Sequence, residues 1–382
     1  MKKILFISPR NPFSGRYSGD VIRAREFANF FSKKFNTTLV TLDKINSNKK
    51  IGKINLISFK EKNLIINIFY ILISLVRLNP LQLGYFYSKE MRDYVQNNYK
   101  KYDIIFCQSL RSAQYVVNLK NKKKILDMGD LYSKNYSQAY KTTKKFNPIK
   151  LIYFIEYILI NKYEKYCFKN FQKILLFSKK EIKSLNSNIR NKIVQINFGI
   201  HEIINKFKFS NKNNKIIFIG NINYAPNKLA CSNFINNILP NILRINPNIE
   251  FHIIGEISQF NKLIWQRNRS VKIHGKVKNL KPLLSKTFCG IANLNVSSGI
   301  QTKLLTYMSY GIPSISSQQV INNFDAIKSS LPFYKNEKEL INLILKLKTN
   351  KNFSISVSKK SLNLIKKFKW EKVLKIFDNI LK

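Results

Sequence analysis

The stretch FKFSNKNNKIIFIG, residues 207–220, decides how the fold is read. Residues 207–215 are polar and lysine-rich, the composition of a linker. NKIIFIG then begins a short, continuous apolar run closed by a glycine, a strand with no polar face. Ahead of it the chain already alternates such runs with helical patterns. The strand candidates there are KKILFIS, TTLVTL, INLISF, YDIIFCQS, KKILDMG, QKILLFS and KIVQINF, with amphipathic stretches such as AREFANFFSKKF and IEYILINKYEKYCFKNF between them. Behind it the pattern restarts with IEFHIIG, VKIHG, CGIANLN and IPSISS. Apolar strands separated by helices argue for parallel sheets covered on both faces. The expected class is α/β, with two doubly wound domains over 1–198 and 199–353 joined at about residues 199–213. A last helix over 354–382 has no strand after it, contains Trp370, and is expected to pack back onto one of the domains. Ligands of open α/β sheets bind beyond the carboxyl ends of the strands. With two such sheets facing each other, the cleft between them is the expected site.

The 382 residues are 45% hydrophobic, enough for a sizeable core and for two domains. Against 67 Lys+Arg stand 20 Asp+Glu, a formal charge of +47. An excess of this size suggests an anionic partner: nucleic acid, membrane headgroups or a phosphorylated substrate. Lysine, asparagine and isoleucine are abundant throughout, so a bias acting on the whole sequence accounts for the charge as well. No helix-turn-helix, RNA-binding aromatic motif or zinc finger is visible, and nucleic acid is not an expected partner. A membrane surface carrying anionic lipid is. Cys107, Cys167, Cys231 and Cys289 are far apart and form no CxxC. They read as reduced cysteines of a cytoplasmic protein, not as a disulfide framework or zinc site. With three histidines, His201, His252 and His274, a histidine-built metal centre is not expected. The apolar run in MKKILFISPRNP is too short for a signal peptide and reads as a first buried strand. The longest uncharged apolar stretch, NLIINIFYILISLV at 63–76, falls short of the roughly 18 to 20 residues of a membrane span and reads as a buried or interfacial helix.

Three segments after strands carry chemistry. The first is the loop SPRNPFSGRYSGDVIRAREF, with Gly15, Gly19, Arg10, Arg16 and Arg23. Asp20 is placed to cap the following helix, with Arg23 in its first turn. A glycine-containing loop at a helix start brings backbone N–H groups close to an anion. A mobile surface loop is the alternative. There is no GxGxxG and no GxxxxGK[ST]. The second is LDMGDLYS, residues 126–133. Its Asp127 and Asp130 can accept from sugar hydroxyls or act as a base, though helix capping by Asp130 explains it equally. The third is SSGIQTKLLTYMSYGIPSISS, residues 297–317. Here a helix expected over 300–310 follows Gly299. Its free N–H groups and dipole make an anion site. Gln301 and Thr302 add donors and Lys303 a full charge. This suits a diphosphate, with Lys303 neutralising charge that develops as it leaves. An ordinary strand–helix unit with a glycine at each end also accounts for it.

GIQTKLLTYMSYGIPS resembles the donor-site motif of GT-B glycosyltransferases of the large family 4 class, where the helix start often reads G-I-Q-N-K and continues L-E-A-M-A-x-G-x-P. The matching residues are Gly299, Ile300, Gln301, Lys303, Leu305, Met308, Gly311 and Pro313. ILFISPRNPFSGRYSGDVIRA is similar to the first strand and loop of a branch with a G-D-x-x-R-A pattern, matched by Gly19, Asp20, Arg23 and Ala24. FYSKEMRDYV, YDIIFCQSLRSAQYV, LDMGDLYSKNY and FIGNINYAPNKLA with FINNILPNI look like the same branch. VKIHGKV, with Gly275, resembles the strand and turn before the donor base.

The resemblance implies a GT-B fold, two Rossmann-like domains facing across a cleft with the C-terminal helix returning to the first. It implies transfer of a sugar from a nucleotide-diphosphate donor, with the donor on the C-terminal domain and the acceptor on the N-terminal one. Retention of configuration and no metal cofactor are implied too. The implied donor residues are Gly275, Ser298, Gly299, Ile300, Gln301, Thr302, Thr306 and Asn221, with Gly19, Asp20 and Arg23 in the first loop; Lys303, and the Asp127 and Asp130 read above from LDMGDLYS, are the catalytic candidates. The chain departs from the pattern at definite points. Ser298 and Thr306 stand where many members have two glutamates. Asn221 and Pro226 stand where a basic pair is usual, in an N-x-x-Y-x-P-N context. Cys107, Gln108 and Met128 occupy strand ends where a catalytic histidine is usual. The expected function is a cytoplasmic glycosyltransferase of cell-surface polysaccharide or glycolipid synthesis, at the inner membrane face. The alternative is a degenerate GT-B protein that binds nucleotide or glycan without transfer.

Overall fold

A computed structural model describes residues 1–15, 18–120, 122–294, 300–328 and 330–381. The chain forms two compact units. One comprises Met1–Asn197 and Val373–Lys382, the other Phe198–Lys372.

The first unit is built on strands β1 (Lys3–Ser8), β2 (Asn36–Asp43), β3 (Ser47–Ile51), β4 (Ile54–Lys60), β5 (Ile104–Gln108), β6 (Lys123–Gly129), β7 (Lys173–Leu176) and β8 (Ile193–Gln195). Their order is β3-β4-β2-β1-β5-β6-β7-β8. All pairs are parallel except β3 with β4. The central strand β1 is buried from Ile4 to Ser8, and Phe6 stands opposite Leu39 on one side and Phe106 on the other. Buried on both faces, it can only read as a continuous apolar run. Helix Gly19–Lys34 lays Val21, Ala24, Phe27, Ala28 and Phe31 on the sheet at helical spacing. An aromatic cluster forms beneath it, with ring centroids 5.2 Å apart for Phe6–Phe106, 4.9 Å for Phe31–Phe106 and 5.0 Å for Phe27–Phe377. Phe377 comes from the C-terminal segment, which also ion-pairs Asp378 with Lys34.

Two expectations change here. The edge strand β3, SNKKI, is absent from the strand candidates. It turns back through Gly52 (φ +56°) to pair antiparallel with β4, Ile51 opposite Ile54. Its exposed Lys49 and Lys50 guard an open edge, and so hide it from a search for apolar runs. The stretch 63–76 forms a helix, Leu64–Val76, capped by Asn63, but only Ser74 in it is buried. No helix among the described residues is long and apolar enough to cross a membrane.

The second unit is a six-stranded, wholly parallel sheet in the order β11-β10-β9-β12-β13-β14. The strands are β9 (Lys215–Ile219), β10 (Glu250–Ile254), β11 (Val271–Gly275), β12 (Thr287–Ala292), β13 (Ser314–Ser317) and the two-residue β14 (Phe333–Tyr334). The single last helix expected over 354–382 is broken into Lys351–Ile365, a 3₁₀ turn at Lys366–Phe368, and the short helices Trp370–Leu374 and Phe377–Ile380. The break has a cause within this unit. Lys369 is extended and bridges Ile200, whose N–H donates to Phe368 O (2.8 Å) and whose carbonyl accepts from Trp370 N–H (3.0 Å). Those groups are then lost to a continuous helix. Gly199 lets the indole approach, since a Cβ there would lie 2.3 Å from the Trp370 ring.

Each sheet has one point where strand order reverses. In the first unit it lies between β1 and β5, in the second between β9 and β12. Residues just beyond these carboxyl ends line the crevices where α/β sheets bind ligands.

Candidate functional site

In the second unit the crevice opens after β9 at Gly220-Asn221 and after β12 at Asn293. Its backbone is kept bare. Gly255 has φ +142°, and a Cβ on it would stand 1.9 Å from Gly220 O. The ladder runs on past the strand ends, Gly220 N–H to Ile254 O at 2.9 Å and Gly255 N–H to Gly275 O at 2.8 Å. Gly275 takes φ +66° with open space where a side chain would be.

Helix Thr302–Ser309 closes the crevice. It starts two residues later than the expected 300–310, with Gln301 as N-cap. Tyr307 locks it down: its hydroxyl accepts from Ile219 N–H at 2.9 Å and donates toward Ile291 O at 3.2 Å. Gly290 makes room, since a Cβ there would meet the Tyr307 ring at 2.6 Å. That rotation turns Lys303 inward. Lys303 is 5% exposed; its Nζ lies 4.2 Å from the Phe218 ring centroid and donates to Asn227 Oδ1 at 2.8 Å. Burial pushes its ammonium down to about 7, against a smaller opposing effect of Cys231. Asn227 in turn donates from Nδ2 to Asn221 O at 2.8 Å, tying the helix to the turn after β9. Asn293 donates to Ala230 O, and its Oδ1 is buried with no partner among the described residues. Ile300 and Gln301 are half-buried, and Thr302 is exposed. Half-buried Thr306 gives its hydroxyl to Thr302 O at 3.2 Å. Ser298 and Gly299 lie outside the described residues.

In the first unit Gln108, at the end of β5, staples the crevice. It accepts from Ser8 Oγ at 2.8 Å and donates to Asp20 O at 2.6 Å. Asp20 was expected to cap the helix at Gly19, but Ser18 is the N-cap, and its hydroxyl is spent on Asp20 Oδ1 at 2.5 Å. Arg10 binds the other oxygen at 2.8 Å. Burial would raise the Asp20 pKa; Arg10, Ser18 and Arg111 outweigh it and hold the carboxyl below its usual value. Arg10 and Arg111 both face the Phe86 ring, at 5.4 and 4.5 Å. Ser109, directly after β5, holds φ +68°, a strained conformation of the kind that collects at functional sites.

Arg23 and Asp127 form a buried, two-pronged ion pair, Nε to Oδ2 at 2.7 Å and Nη2 to Oδ1 at 2.8 Å. Arg23 also donates to Asn197 O at 3.1 Å and packs against Phe27 and Phe177. Asp127 therefore has both oxygens committed. Asp130 does not cap the next helix, Tyr132–Thr142, whose N-cap is Leu131. Its Oδ1 is buried without a partner among the described residues. Burial, then the nearby Glu181 carboxylate, push it up to about 8 against the pull of Arg23. The structure thus adds Ser109, Arg111, Asn227 and Tyr307 to the residues singled out from sequence, and gives Gln108 a positioning role. Asn227 stood inside the quoted N-x-x-Y-x-P-N and Arg111 inside YDIIFCQSLRSAQYV. The torsion at Ser109 leaves no mark on sequence. Among the described residues no group of three or more His, Cys, Asp or Glu is placed to hold a metal ion.

Residues 213–350 match the family model described as "Glycosyl transferases group 1". No curated protein matches the chain. Among solved structures, sucrose-phosphate synthase from Thermosynechococcus elongatus is similar at TM-score 0.73 with 11% identity, over 100% of this chain and 98% of that one. HepE from Anabaena, in complex with UDP and glucose, has TM-score 0.67 and 11% identity over 100% and 99%. A UDP-forming trehalose-phosphate synthase from Burkholderia xenovorans has TM-score 0.68 and 10% identity over 100% and 99%. The fold is GT-B, and with the matched domain it marks the chain as a sugar-transferring enzyme.

Proposed function

We propose that the chain transfers a sugar from a nucleoside-diphosphate sugar to a glycan or lipid-linked acceptor. It would do so in cell-surface polysaccharide or glycolipid synthesis, on the cytoplasmic side of a membrane. The observation that carries this is Lys303, an ammonium buried at the reversal point of the second sheet against one neutral amide. Such a cation is stabilised by an incoming anion. The bare glycine backbone beside it and the start of helix Thr302–Ser309 suit a diphosphate. That HepE holds UDP and glucose in its structure supports a UDP-sugar donor.

In this reading the anomeric carbon breaks its bond to the β-phosphate oxygen and bonds the acceptor hydroxyl oxygen. The hydroxyl proton passes to a base, and the nucleoside diphosphate leaves. Lys303 offsets the charge that builds on the diphosphate. Gln301, Thr302, Thr306, Asn221, Gly275, Ser298, Gly299 and Ile300 position the donor. In the first unit Arg10, Asp20 and Arg111 orient acceptor hydroxyls or phosphate. Asp127 and Arg23 hold that crevice in shape, and Asp130, titrating near neutrality, is the candidate base. Retention of configuration and independence of metal are part of the proposal.

A panel of nucleotide sugars assayed for hydrolysis and transfer tests it. Turnover with one donor supports it; no turnover and no nucleoside-diphosphate binding by calorimetry overturn it. Thr306, a short neutral side chain bonded into its own helix at a glutamate position, favours one second reading: a GT-B protein that binds without transfer. Binding with no turnover for any donor would support that.

A further inference from the structure

We infer that the first unit docks on anionic bilayers through a basic cavity that takes one lipid phosphate headgroup, flanked by an apolar helix and the exposed apolar start of a second, which lie on the membrane. This deepens the proposed membrane-surface enzyme, but it is read by vesicle binding, so it can fail while sugar transfer stands.

Helix Leu64–Val76 carries no charge and buries only Ser74. Val76, Ile65 and Phe69 are 84, 78 and 59% exposed, and Leu64 and Leu72 are exposed beside them. Helix Ile149–Asn170 carries charges, Lys150 among them, but also begins with exposed apolar side chains, Leu151 and Ile152, and Phe146 just ahead of it is 94% exposed. Apolar surface on this scale marks an interaction face. The two helices are held firmly. Gly84 of helix Leu81–Tyr85 sits so close to the first that a Cβ would stand 2.3 Å from Tyr70 O. Glu156 of the second caps that same short helix, accepting from Leu81 N–H at 2.7 Å and from Gln82 N–H and Nε2 at 3.1 Å.

Between them lies a cavity of about 910 Å³ with Tyr70, Ile73 and Ile158 in its wall. Arg77, Arg92, Lys162, Lys165 and Lys169 also line it, and no carboxylate does. Arg92 is paired with Asp93 at 2.9 Å. The other four have no ion-pair partner among the described residues. Charge decides the occupant. A second copy would bring another chain of +47 against unpaired cations, whereas an anionic bilayer offers both the phosphate and the apolar layer. Long basic side chains at the edge of an apolar helix reach headgroups while their stems stay in the acyl boundary.

Flotation of the full chain with phosphatidylglycerol–phosphatidylcholine vesicles, against phosphatidylcholine alone, tests this. Lys162→Glu with Lys165→Glu should cut partitioning by about tenfold or more at physiological salt. Lys359→Glu with Lys360→Glu makes the same change of charge on exposed residues of the second unit, and should change it by less than about twofold. Equal losses would overturn the inference, because bulk charge would then explain the binding. Phe69→Ser with Leu72→Ser should also cost about tenfold with melting unchanged, since both side chains are exposed. Unchanged vesicle binding, with a wild-type dimer that this variant dissociates, would overturn it in favour of an interface between copies. Binding of soluble glycerol phosphate with no binding of anionic vesicles would overturn it in favour of a free phosphate.

Discussion

The two sheet-reversal crevices hold their charges in opposite states. In the first unit two ion pairs arrive already matched, Arg23 on Asp127 and Arg10 on Asp20, and burial holds the remaining carboxyl, Asp130, toward its uncharged form. In the second, Lys303 is buried against an uncharged amide. A matched crevice changes little in charge when a neutral, hydroxyl-rich molecule enters it. An unmatched buried cation is relieved by losing its proton or by gaining an anion. In the proposed reading this contrast is the reason to put the acceptor in the first crevice and the diphosphate in the second.

The matched side breaks most visibly. Asp127→Ala would strand the Arg23 guanidinium in the interior and should cost about 3–5 kcal/mol in chemical unfolding of the first unit. A loss under about 1 kcal/mol would mean that crevice is not held by its ion pair.

The unmatched side should respond in the other direction. Burial lowers the Lys303 ammonium from 10.5 to about 7. Between those values the unfolded chain binds more protons than the folded one, so stability rises with pH across that window. The slope is up to about 1 kcal/mol per pH unit. Lys303→Met should remove this rise and leave the protein at least as stable at pH 7, as followed by melting from pH 6.5 to 9.5. A wild-type profile already flat over that range would show the ammonium to be solvated.

Smaller effects sharpen the assignment. Arg111→Ala should raise the acceptor KM about tenfold and leave nucleotide affinity unchanged, the loss of one charge-assisted contact. A fall in nucleotide affinity instead would put the donor in the wrong crevice. Thr306→Val should weaken nucleotide binding by less than about threefold, because the hydroxyl is engaged by Thr302 O.

Much of the architecture was legible because it rests on local pattern. The runs from KKILFIS to IPSISS all became strands, most of them apolar because parallel strands buried on both faces favour apolar residues, though β13 buries three serines in SISS. What failed depends on distant partners or short length. SNKKI is polar because it is an edge, and Phe333–Tyr334 is two residues long. The tail helix breaks where Lys369 bridges Ile200, far back along the chain. The site shows the same division. Lys303 was visible as a charge near a helix start. Its burial was not, because that depends on Asn227 reaching it from the start of helix Ala225–Asn233. Asp127 was visible as a carboxylate after a strand, yet Arg23, 104 residues earlier, takes both its oxygens.

The central claim is that Lys303 makes the second crevice the nucleoside-diphosphate site. Calorimetric titration of UDP into wild type and Lys303→Met at pH 6.5, where the ammonium is largely charged, tests it most directly. The account predicts roughly 10- to 100-fold weaker binding in the variant, with proton uptake by the wild type that grows as pH rises past 7. Equal affinity in the two proteins, with no such uptake, would contradict it.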